Sequence, residues 1–560
     1  MKWPYVRVID SVKSNIRSGF SRSHSMLTPK NELFEYTRGR FLLGNEKEQR
    51  AKRRVHFDLQ QLASTAANSI GAKECINIAK CPDGLYNKAF ILTMDTGKQV
   101  IAKIPNPTVG IPFYTTASEV ATMDFARSVL ETPVPKVYAW NATINSNPVG
   151  AEFIIMEKIP GVLFSTVWRD LEPKQKLTVF AQVARYMRRW SDVRFNKIGG
   201  LYYAKDLDVS LSSNGSLYMD GENPVINPRF TIGPSTNREW SDEGRQHLQC
   251  DRGPWSSVMA YRNAIGNRET AAVQTLHHVP KQLVMLFGPQ PFYQPAIERK
   301  FEALRLYSNI LDLLIPTKDP TLMTSHLWHN DLHHENIFID PETLQIQGII
   351  DWQSIQIAPL TDHCLEPSFL DYYGPEIGDN LERPTMPNEI KHLKGEERTV
   401  ALDQYVDRAV MIAWRRLVRD KSPSQYRAIK FQDTAAGHIL HVIRRIFEAD
   451  ELYFFALLLD LRDERAMDGN PQSQFPLEFS KLDEVAFDAD VTRAELGVAA
   501  IRTIQQRLGN LWPEKGIADN DHYDKIKLML QKMKAELIAQ HAVHPGWDNR
   551  IFDRFWPFGD

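Results

Sequence analysis

Short apolar runs bounded by turn residues characterise the first part of the chain, and helical spacing characterises the rest. The predicted strands are rich in β-branched or aromatic residues and lie at 76–79, 89–94, 100–104 and 153–156. A turn at 81–88 joins the first two strands, and the last strand runs into a connector at 156–161. The pattern therefore predicts a β-rich unit that precedes a larger helical one.

The predicted helices carry apolar residues at every third or fourth position and lie at 177–187, 297–314, 403–420, 434–461, 483–508 and 522–541. Residues 374–400 are predicted to form a loop. Residues 204–255 are a polar insertion that we expect to fold over the substrate side. Within it, Arg252 and Trp255 are candidate ligand contacts. The alternatives are that Arg252 forms a surface salt bridge and that Trp255 is a buried anchor. The longest apolar run, 452–459, is far too short to span a bilayer, so no transmembrane segment is predicted.

The strongest chemical signal is the segment HNDLHHEN at 329–336, followed by the tripeptide IDW at 350–352. Asp331, Asn336 and Asp351 have the spacing of a kinase-type catalytic loop and a metal-binding aspartate. In such a site Asp331 accepts the proton of an attacking hydroxyl, and Asn336 and Asp351 hold Mg²⁺ against phosphate oxygens. An Asp–Asn pair alone occurs by chance in many chains. The frame strengthens the signal, because the runs 337–340 and 346–350 predict a hairpin between the two aspartates.

Four histidines in this region, His326, His329, His333 and His334, raise the alternative of a zinc site. Their order differs from HExxH and no cysteine lies nearby, so zinc ligation is not favoured. We predict instead that His329 forms a hydrogen bond with the backbone and holds the shape of the loop.

Lys103 lies inside the apolar strand 100–104, where a charged side chain is costly unless it is paired. It would bind the α- and β-phosphates of ATP, and the alternative is an edge-strand lysine that reaches water. Residues 116–119 open a helix. There Glu119 either pairs with Lys103 or forms a capping box with Thr116.

Two further segments are candidate nucleotide contacts. The turn 81–88, with Gly84 and Asn87, would cover the phosphates with backbone N–H groups, although a single glycine is a weak signal for a phosphate loop. Met156 and Lys158 would lie at a hinge whose backbone meets adenine, although a plain strand exit has the same pattern.

Together these residues resemble the aminoglycoside phosphotransferase and choline kinase group, a branch of the protein-kinase-like fold. The resemblance covers about residues 60–375, with gaps. It is carried by Lys103, Glu119, the connector 156–161, His329-x-Asp331-x-x-x-x-Asn336 and Ile350-Asp351-Trp352. The chain is also similar to fungal mitochondrial proteins of that group that are named for altered inheritance of mitochondria. That similarity includes FEYTRGRF at 34–41 and DRGPW at 251–255.

The resemblance implies an α+β, protein-kinase-like two-lobed fold, with a small β-rich ATP lobe and a larger helical lobe that carries C-terminal helical additions. It implies ATP and Mg²⁺ as cofactors, with Asp331 as base and Lys103 on the phosphates. Asn330 departs from the glycine usual in the group, and asparagine tolerates the left-handed backbone that a glycine would supply. Trp352 replaces the Phe of D-F-G and no glycine follows, which argues against a protein-kinase activation loop.

Composition and charge limit the classes of binding partner and indicate the cellular compartment. A chain of 560 residues with 43% apolar content can bury at least two cores, and its net charge of −2 gives no nucleic-acid signature. The four scattered cysteines favour a reducing compartment. Residues 1–30 contain six basic residues and one acidic residue, which predicts a mitochondrial transit peptide, with a disordered basic tail as the alternative.

The sequence thus predicts a transit peptide at 1–30, an ATP-binding lobe at 31–158, a catalytic lobe at 159–400 and a helical extension at 401–560. The predicted function is ATP- and Mg-dependent phosphoryl transfer to a hydroxyl of an unidentified small molecule. The alternative is a catalytically silent, nucleotide-regulated binding module in mitochondria. A metal-dependent hydrolase that uses the histidines is a more distant third.

Overall fold

The computed structural model of the chain describes residues 33–559, except 169, 208–214, 278, 371, 373, 375–376, 450 and 468–474. The predicted transit peptide at 1–30 lies outside the described residues. The domain boundaries given above stay predictions. No helix formed by the described residues is long and apolar enough to cross a bilayer.

The strands, in chain order, are β1 (Arg40–Phe41), β2 (Cys75–Lys80), β3 (Asn87–Met94), β4 (Gln99–Pro105), β5 (Val137–Asn141), β6 (Phe153–Glu157), β7 (Val162–Leu163), β8 (Val193–Phe195), β9 (Gly200–Tyr203), β10 (Tyr218–Asp220), β11 (Asn223–Val225), β12 (Phe230–Gly233), β13 (Ser325–Leu327), β14 (Ile337–Ile339), β15 (Ile346–Ile349), β16 (Ile357–Pro359) and β17 (Ile517–Ala518).

The helices are α1 (Glu46–Lys52), α2 (Leu59–Ser69), α3 (Tyr114–Ser128), α4 (Phe164–Val167), α5 (Pro173–Asp192), α6 (Val258–Thr275), α7 (Ile297–Leu314), α8 (Gly395–Lys421), α9 (Pro423–Gln432), α10 (Ala435–Val442), α11 (Glu451–Met467), α12 (Lys481–Leu508), α13 (Tyr523–His541) and α14 (Asn549–Phe555).

The N-terminal sheet has the antiparallel order β2-β3-β4-β6-β5. Alternate residues of β3 are buried, as expected for a strand with one face on a core. That face carries Phe90 and Leu92, which cluster with Ala102 of β4 and with Leu62 and Ala66 of α2. Because side chains alternate along β4, Lys103 lies on the face opposite to Ala102.

The second lobe is built around the predicted hairpin. β14 pairs antiparallel with β15, which confirms the hairpin, and on its other edge with β7, the strand that follows the connector. A second sheet, in the order β11-β10-β8-β13-β16, lies beside it. The core of this lobe contains large side chains from its helices, sheets and loops, namely Phe180, Trp190, Trp328, Trp352 and Trp414. The segments that precede and follow the catalytic loop are therefore fixed from behind by aromatic packing.

The two ends of the described chain meet. β1 pairs antiparallel with β17, Leu43 forms a β-bridge with Phe558, and Gly559 donates its N–H to the carbonyl of Leu42 at 2.7 Å. The N-terminal segment also contacts the turn 81–88, because Thr37 donates through both N–H and Oγ1 to Asp83. The C-terminal helices are thus connected to the ATP-lobe sheet through residues 34–43.

Five predicted helices are confirmed as α5, α7, α8, α12 and α13, with small shifts at their ends. α8 begins at Gly395, inside the predicted loop 374–400. The continuous helix predicted at 434–461 is wrong, because α10 ends in a short 3₁₀ turn and α11 begins only at Glu451. Buried charged side chains form hydrogen bonds with the backbone of the segment between α10 and α11. Lys300 donates to the carbonyls of Ile446 and Ala449, and Glu269 accepts from the N–H of Phe447.

The two candidate ligand contacts in the insertion, Arg252 and Trp255, are both engaged in contacts within the protein. Trp255 is 3% exposed and stacks against Trp240 and Tyr261, so the buried-anchor alternative is right. Arg252 donates to backbone carbonyls at Arg245 and Leu248, and the predicted surface salt bridge is not among its described contacts. Helices α2, α6 and α9 were not predicted from the sequence.

Replacement of Gly161 should destabilise the protein more than replacement of Gly97. Both have positive φ, 85° and 80°, so alanine at either position adds left-handed strain of roughly 1–2 kcal/mol. A Cβ at Gly161 would also lie 2.3 Å from the carbonyl oxygen of Ile339 in the catalytic hairpin, whereas none of the surrounding atoms lies within 4 Å of one at Gly97. We therefore expect Gly161→Ala to lower the urea midpoint clearly further than Gly97→Ala. Equal midpoints would show that contact with the hairpin does not matter.

Candidate active site

The first feature of the site is a buried ion pair between β4 and α3. Lys103 Nζ lies 2.6 Å from Glu119 Oε1, and both side chains are less than 10% exposed. α3 begins at Tyr114 with no side-chain cap, and Thr116 lies inside it and donates to Glu152. The ion pair is therefore present, and the alternative capping box of Thr116 with Glu119 is wrong.

The same lysine reaches the second lobe. Lys103 Nζ lies 3.0 Å from Asp351 Oδ1, and the Asp351 side chain is 40% exposed. Burial alone would lower the pKa of Lys103, but the carboxylates of Asp351 and Glu119 outweigh it and raise the pKa above its ordinary value. Lys103 is therefore a fixed ammonium group at neutral pH, located between the lobes.

The catalytic loop turns its aspartate outward and its asparagine inward. The Asp331 side chain is 70% exposed, whereas Asn336 is buried and donates from Nδ2 to the Asp331 carbonyl at 2.9 Å. This hydrogen bond leaves the Asn336 side-chain oxygen available for a cation. The Asn336 carbonyl accepts from the N–H of Ile350 at 2.9 Å, which fixes the distance between the loop and Asp351.

His329 closes the loop from behind, as predicted. Its Nε2 lies 2.9 Å from the Ile350 carbonyl oxygen, and its ring packs edge-on against Trp352 at 4.7 Å between centroids. Burial lowers the pKa of His329, which keeps the ring neutral. A neutral ring with its Nε2–H on a carbonyl has a structural role in this loop.

Asp331 is held in the ionised form. Partial desolvation would raise the pKa of its carboxyl, but the nearby His333 ring, together with His329 and Lys515, outweighs this effect and holds the pKa well below its usual range. Lys515 precedes β17 and comes from the C-terminal extension. The sequence reasoning missed it, because its placement near Asp331 depends on the pairing of β1 with β17.

The left-handed backbone of the site lies at Asp351, with φ 64°, and not at Asn330. Asn330 has a different function in the structure. Its Oδ1 accepts from the N–H of Cys364 at 3.0 Å and lies 3.1 Å from His363 Nδ1. The expectation that Asn330 supplies left-handed backbone is therefore wrong, and the residue instead connects the catalytic loop to the segment after β16.

The turn 81–88 is fixed through a buried aspartate. Asp83 is 1% exposed and pairs with Lys80 Nζ at 2.9 Å and Lys88 Nζ at 3.3 Å. From the other side, the guanidinium of Arg238 in the insertion stacks 3.5 Å from the ring centroid of Tyr86. The insertion therefore contacts the ATP lobe, and its predicted position over the substrate stays a prediction.

The remaining candidate contacts lie around this turn. The Gly84 N–H donates to the Asn87 carbonyl at 3.0 Å, and Asn87 Nδ2 donates to Gln353 Oε1 at 3.0 Å. Gln353 Nε2 in turn donates to Glu119 Oε2 at 3.2 Å, so the turn is connected to the ion pair. Met156 is half-buried at the end of β6 and Lys158 is exposed just after it. Nucleotide contact by Gly84, Asn87, Met156 and Lys158 stays a prediction.

The donor atoms fit Mg²⁺ better than zinc. No cluster of three or more His, Cys, Asp or Glu side chains able to hold a metal occurs in the described part of the chain. Asn336 and Asp351 would supply two oxygen ligands and leave the other positions to phosphate oxygens and water, which is how Mg²⁺ is usually bound beside a nucleotide. The zinc alternative has no support in this geometry.

Comparison with known proteins identifies the segment that carries this loop. A profile of the phosphotransferase enzyme family matches residues 264–361, which include Asp331, Asn336 and Asp351. Lys103 and Glu119 lie outside the matched residues. The resemblance to a phosphotransferase family is thus confirmed for residues 264–361. The structure also has the expected α+β composition, with a small antiparallel sheet beside a larger, mostly helical part.

Two relatives extend the match beyond that segment. A subtelomeric hrmA-associated cluster protein of Aspergillus fumigatus is 26% identical over 87% of this chain and 97% of its own length. The mitochondrial protein named altered inheritance of mitochondria protein 9 of Candida tropicalis is 26% identical over 66% of this chain and 66% of its own. Among solved structures, the streptomycin–ATP–APH(2″)-IIa ternary complex has a TM-score of 0.32 at 14% identity and covers 72% of this chain and 97% of that one.

Unfolding should become easier as the pH falls, because burial disfavours the protonated form of His363 in the folded protein. Burial lowers the pKa of His363 to about 4, whereas an unfolded histidine titrates near 6.5. This stability is complete above pH 6.5 and is lost towards pH 4, by at most about 3 kcal/mol for this ring. We expect His363→Gln to flatten the urea midpoint against pH over that window, with His247→Gln as the control for loss of an exposed imidazole. An unchanged slope would contradict the role of His363.

Proposed function

We propose that this protein transfers the γ-phosphoryl group of ATP, with Mg²⁺, to a hydroxyl group of a small molecule. The observation that carries the proposal is the arrangement around Lys103. A buried, charged lysine reaches from the ATP lobe to Asp351, and the ionised, exposed Asp331 lies on the adjoining loop. The match to the phosphotransferase family supports the reaction class.

The proposed roles follow from the position and charge of each group. Asp331 orients the acceptor hydroxyl and accepts its proton, because its carboxylate is ionised and open to the cleft. Lys103 places a fixed positive charge where the phosphates of the nucleotide lie. Asn336 and Asp351 would hold Mg²⁺, which when bound neutralises charge on the β- and γ-phosphates.

The acceptor binds next to Asp331 in this proposal. A small pocket opens there and is lined by Asn330, Asp331, Leu332, Cys364, Glu366, Pro367 and Ser368. Glu366 is neutralised by Arg415, which lies 2.9 Å away, so Asp331 is the carboxylate left to interact with a hydroxyl. The pocket does not identify the acceptor molecule.

The silent binding module is the weaker alternative. A protein that only binds nucleotide has no chemical need for an exposed carboxylate that is kept ionised beside the metal-binding pair. Asp331 contributes nothing to the described core, since its side chain is mostly exposed. The catalytic proposal explains why an exposed, ionised aspartate is present at this position, and the binding proposal does not.

Two aspartate variants separate the steps of the proposed reaction. Asp331→Ala should abolish turnover and leave the stabilisation by Mg-ATP intact, because Asp331 contacts the acceptor and not the nucleotide. Asp351→Ala should lose the magnesium-dependent part of that stabilisation. In wild type, ligand at about a hundred times its dissociation constant stabilises by roughly 2.7 kcal/mol, which thermal unfolding detects readily.

The control for these variants is Asp521→Ala, at an exposed aspartate ahead of α13, which should leave both activity and the thermal shift unchanged. Full activity of Asp331→Ala would remove the residue from the mechanism. The absence of any shift with Mg-ATP in wild type would contradict the nucleotide site itself.

We also propose that the protein acts in mitochondria. The support is the basic, serine-rich character of residues 1–30 and the similarity to proteins named as mitochondrial, such as the Candida tropicalis protein. A fluorescent protein fused behind residues 1–30 is expected to enter mitochondria. Replacement of the six basic residues in that segment should leave the fusion in the cytosol, and import of both fusions alike would contradict the proposal.

A further inference from the structure

His333 differs from His326 and His329, two other histidines around the loop at 329–336, in what it faces. His326 and His329 direct a ring nitrogen at a backbone carbonyl, those of Val193 and Ile350. His333 Nε2 instead lies 3.6 Å from Asp331 Oδ2, and its side chain is 20% exposed. In the described part of the chain, no other basic side chain lies within 4.0 Å of the Asp331 carboxylate.

The other ring nitrogen fixes which way the proton points. His333 Nδ1 accepts the backbone N–H of Glu335 at 3.2 Å. A nitrogen that accepts a hydrogen bond carries no proton, so the proton of the neutral ring lies on Nε2, the atom directed at Asp331. The ring therefore presents a donor to the carboxylate without needing a positive charge.

The backbone prevents the ring from turning away. The N–H of His333 donates to the Asp331 carbonyl at 3.0 Å, and the N–H of Asn336 donates to the His333 carbonyl at 2.9 Å. Asn336 Nδ2 holds that same Asp331 carbonyl. Base, histidine and asparagine thus form one hydrogen-bonded turn in which the position of each fixes the others.

We infer that His333 is a positioning residue for Asp331, an inference that rests on the proposed phosphoryl transfer. Its Nε2–H points at Oδ2 of the carboxylate from 3.6 Å, a polar contact longer than a hydrogen bond that tightens when the loop closes on substrate, and it leaves Oδ1 for the proton of the acceptor hydroxyl. Without it, an exposed aspartate side chain would populate several rotamers, of which only some face the acceptor.

Three variants and one background test this role, with Mg-ATP as substrate and water or an alcohol as acceptor. His333→Phe keeps a ring and removes the donor, and we expect kcat to fall by up to about 100-fold, the loss that about 1 Å of misplacement can cause. KM for Mg-ATP should not change. His333→Gln restores an N–H donor and should recover most of the loss, and His522→Phe, at an exposed histidine, is the control for the substitution itself.

The decisive measurement is a double-mutant cycle with Asp331→Asn. If His333 acts through Asp331, then His333→Phe should lower kcat in wild type but add no further loss in the Asp331→Asn background. Such strong non-additivity distinguishes a positioning residue from a residue that only stabilises the fold. A fold effect would lower kcat in both backgrounds and would lower the thermal midpoint as well.

Three results would overturn the inference while leaving the proposed function in place. They are wild-type kcat in His333→Phe, a raised KM for Mg-ATP at unchanged kcat, and an equal loss of kcat in both backgrounds. Wild-type protein that is stabilised by Mg-ATP but shows no turnover with any acceptor would overturn the proposed function itself. The two failures are distinguished by whether wild type is active.

Discussion

The contact of Lys103 with Glu119 and Asp351 is the interaction on which the rest of the site depends. Removal of an ammonium group from water costs several kcal/mol, so the site exists only if both carboxylates are held in place. β4 supplies the lysine, and α3 packs Glu119 beneath it at 3% exposure. Asp351 comes from the other lobe in a left-handed conformation immediately after β15.

These requirements explain features that are otherwise unrelated. Trp352 is fully buried and donates from its indole N–H to the Ile349 carbonyl at 2.9 Å, which fixes the turn that presents Asp351. Gln353 bonds to Asn87 on one side and to Glu119 on the other. These two contacts join Gln353, which follows Asp351 closely in the second lobe, to the N-terminal lobe that carries Lys103 and Glu119. Polar groups between the lobes therefore help to fix the relative position of the lobes.

The ends of the chain complete this arrangement. β1 and β17 join the N-terminal segment to the C-terminal helices, and Lys515 lies immediately ahead of β17 with its charge close enough to act on Asp331. Thr37, on the same N-terminal segment, holds Asp83 of the turn 81–88. Through these contacts the helical extension is connected both to the loop 329–336 and to the turn 81–88, and it is not a separate appendage.

The local parts of the site could be predicted from the sequence, and its long-range parts could not. The spacing of Asp331, Asn336 and Asp351, and the hairpin between the aspartates, depend on neighbours in sequence that a pattern reveals. The pairing of β1 with β17 and the break between α10 and α11 depend on partners far away in the sequence. An example is the buried Lys300, which donates to the carbonyls of residues 446 and 449, the nearer of them 146 residues away. A helical spacing of apolar residues cannot show that a distant lysine needs those carbonyls.

The two contacts of Lys103 also differ in a way that indicates where nucleotide enters in the proposed function. Glu119 is buried and further tied by Gln353, whereas the Asp351 side chain is 40% exposed to the cleft. A phosphate can approach Lys103 only from the exposed side, because the other side is filled by protein. In the proposed function, Asp351 would then share the lysine with the phosphate, and a divalent cation would compensate Asp351 for the weakened contact. Metal and nucleotide binding would therefore be coupled, since neither alone would satisfy the lysine and both carboxylates.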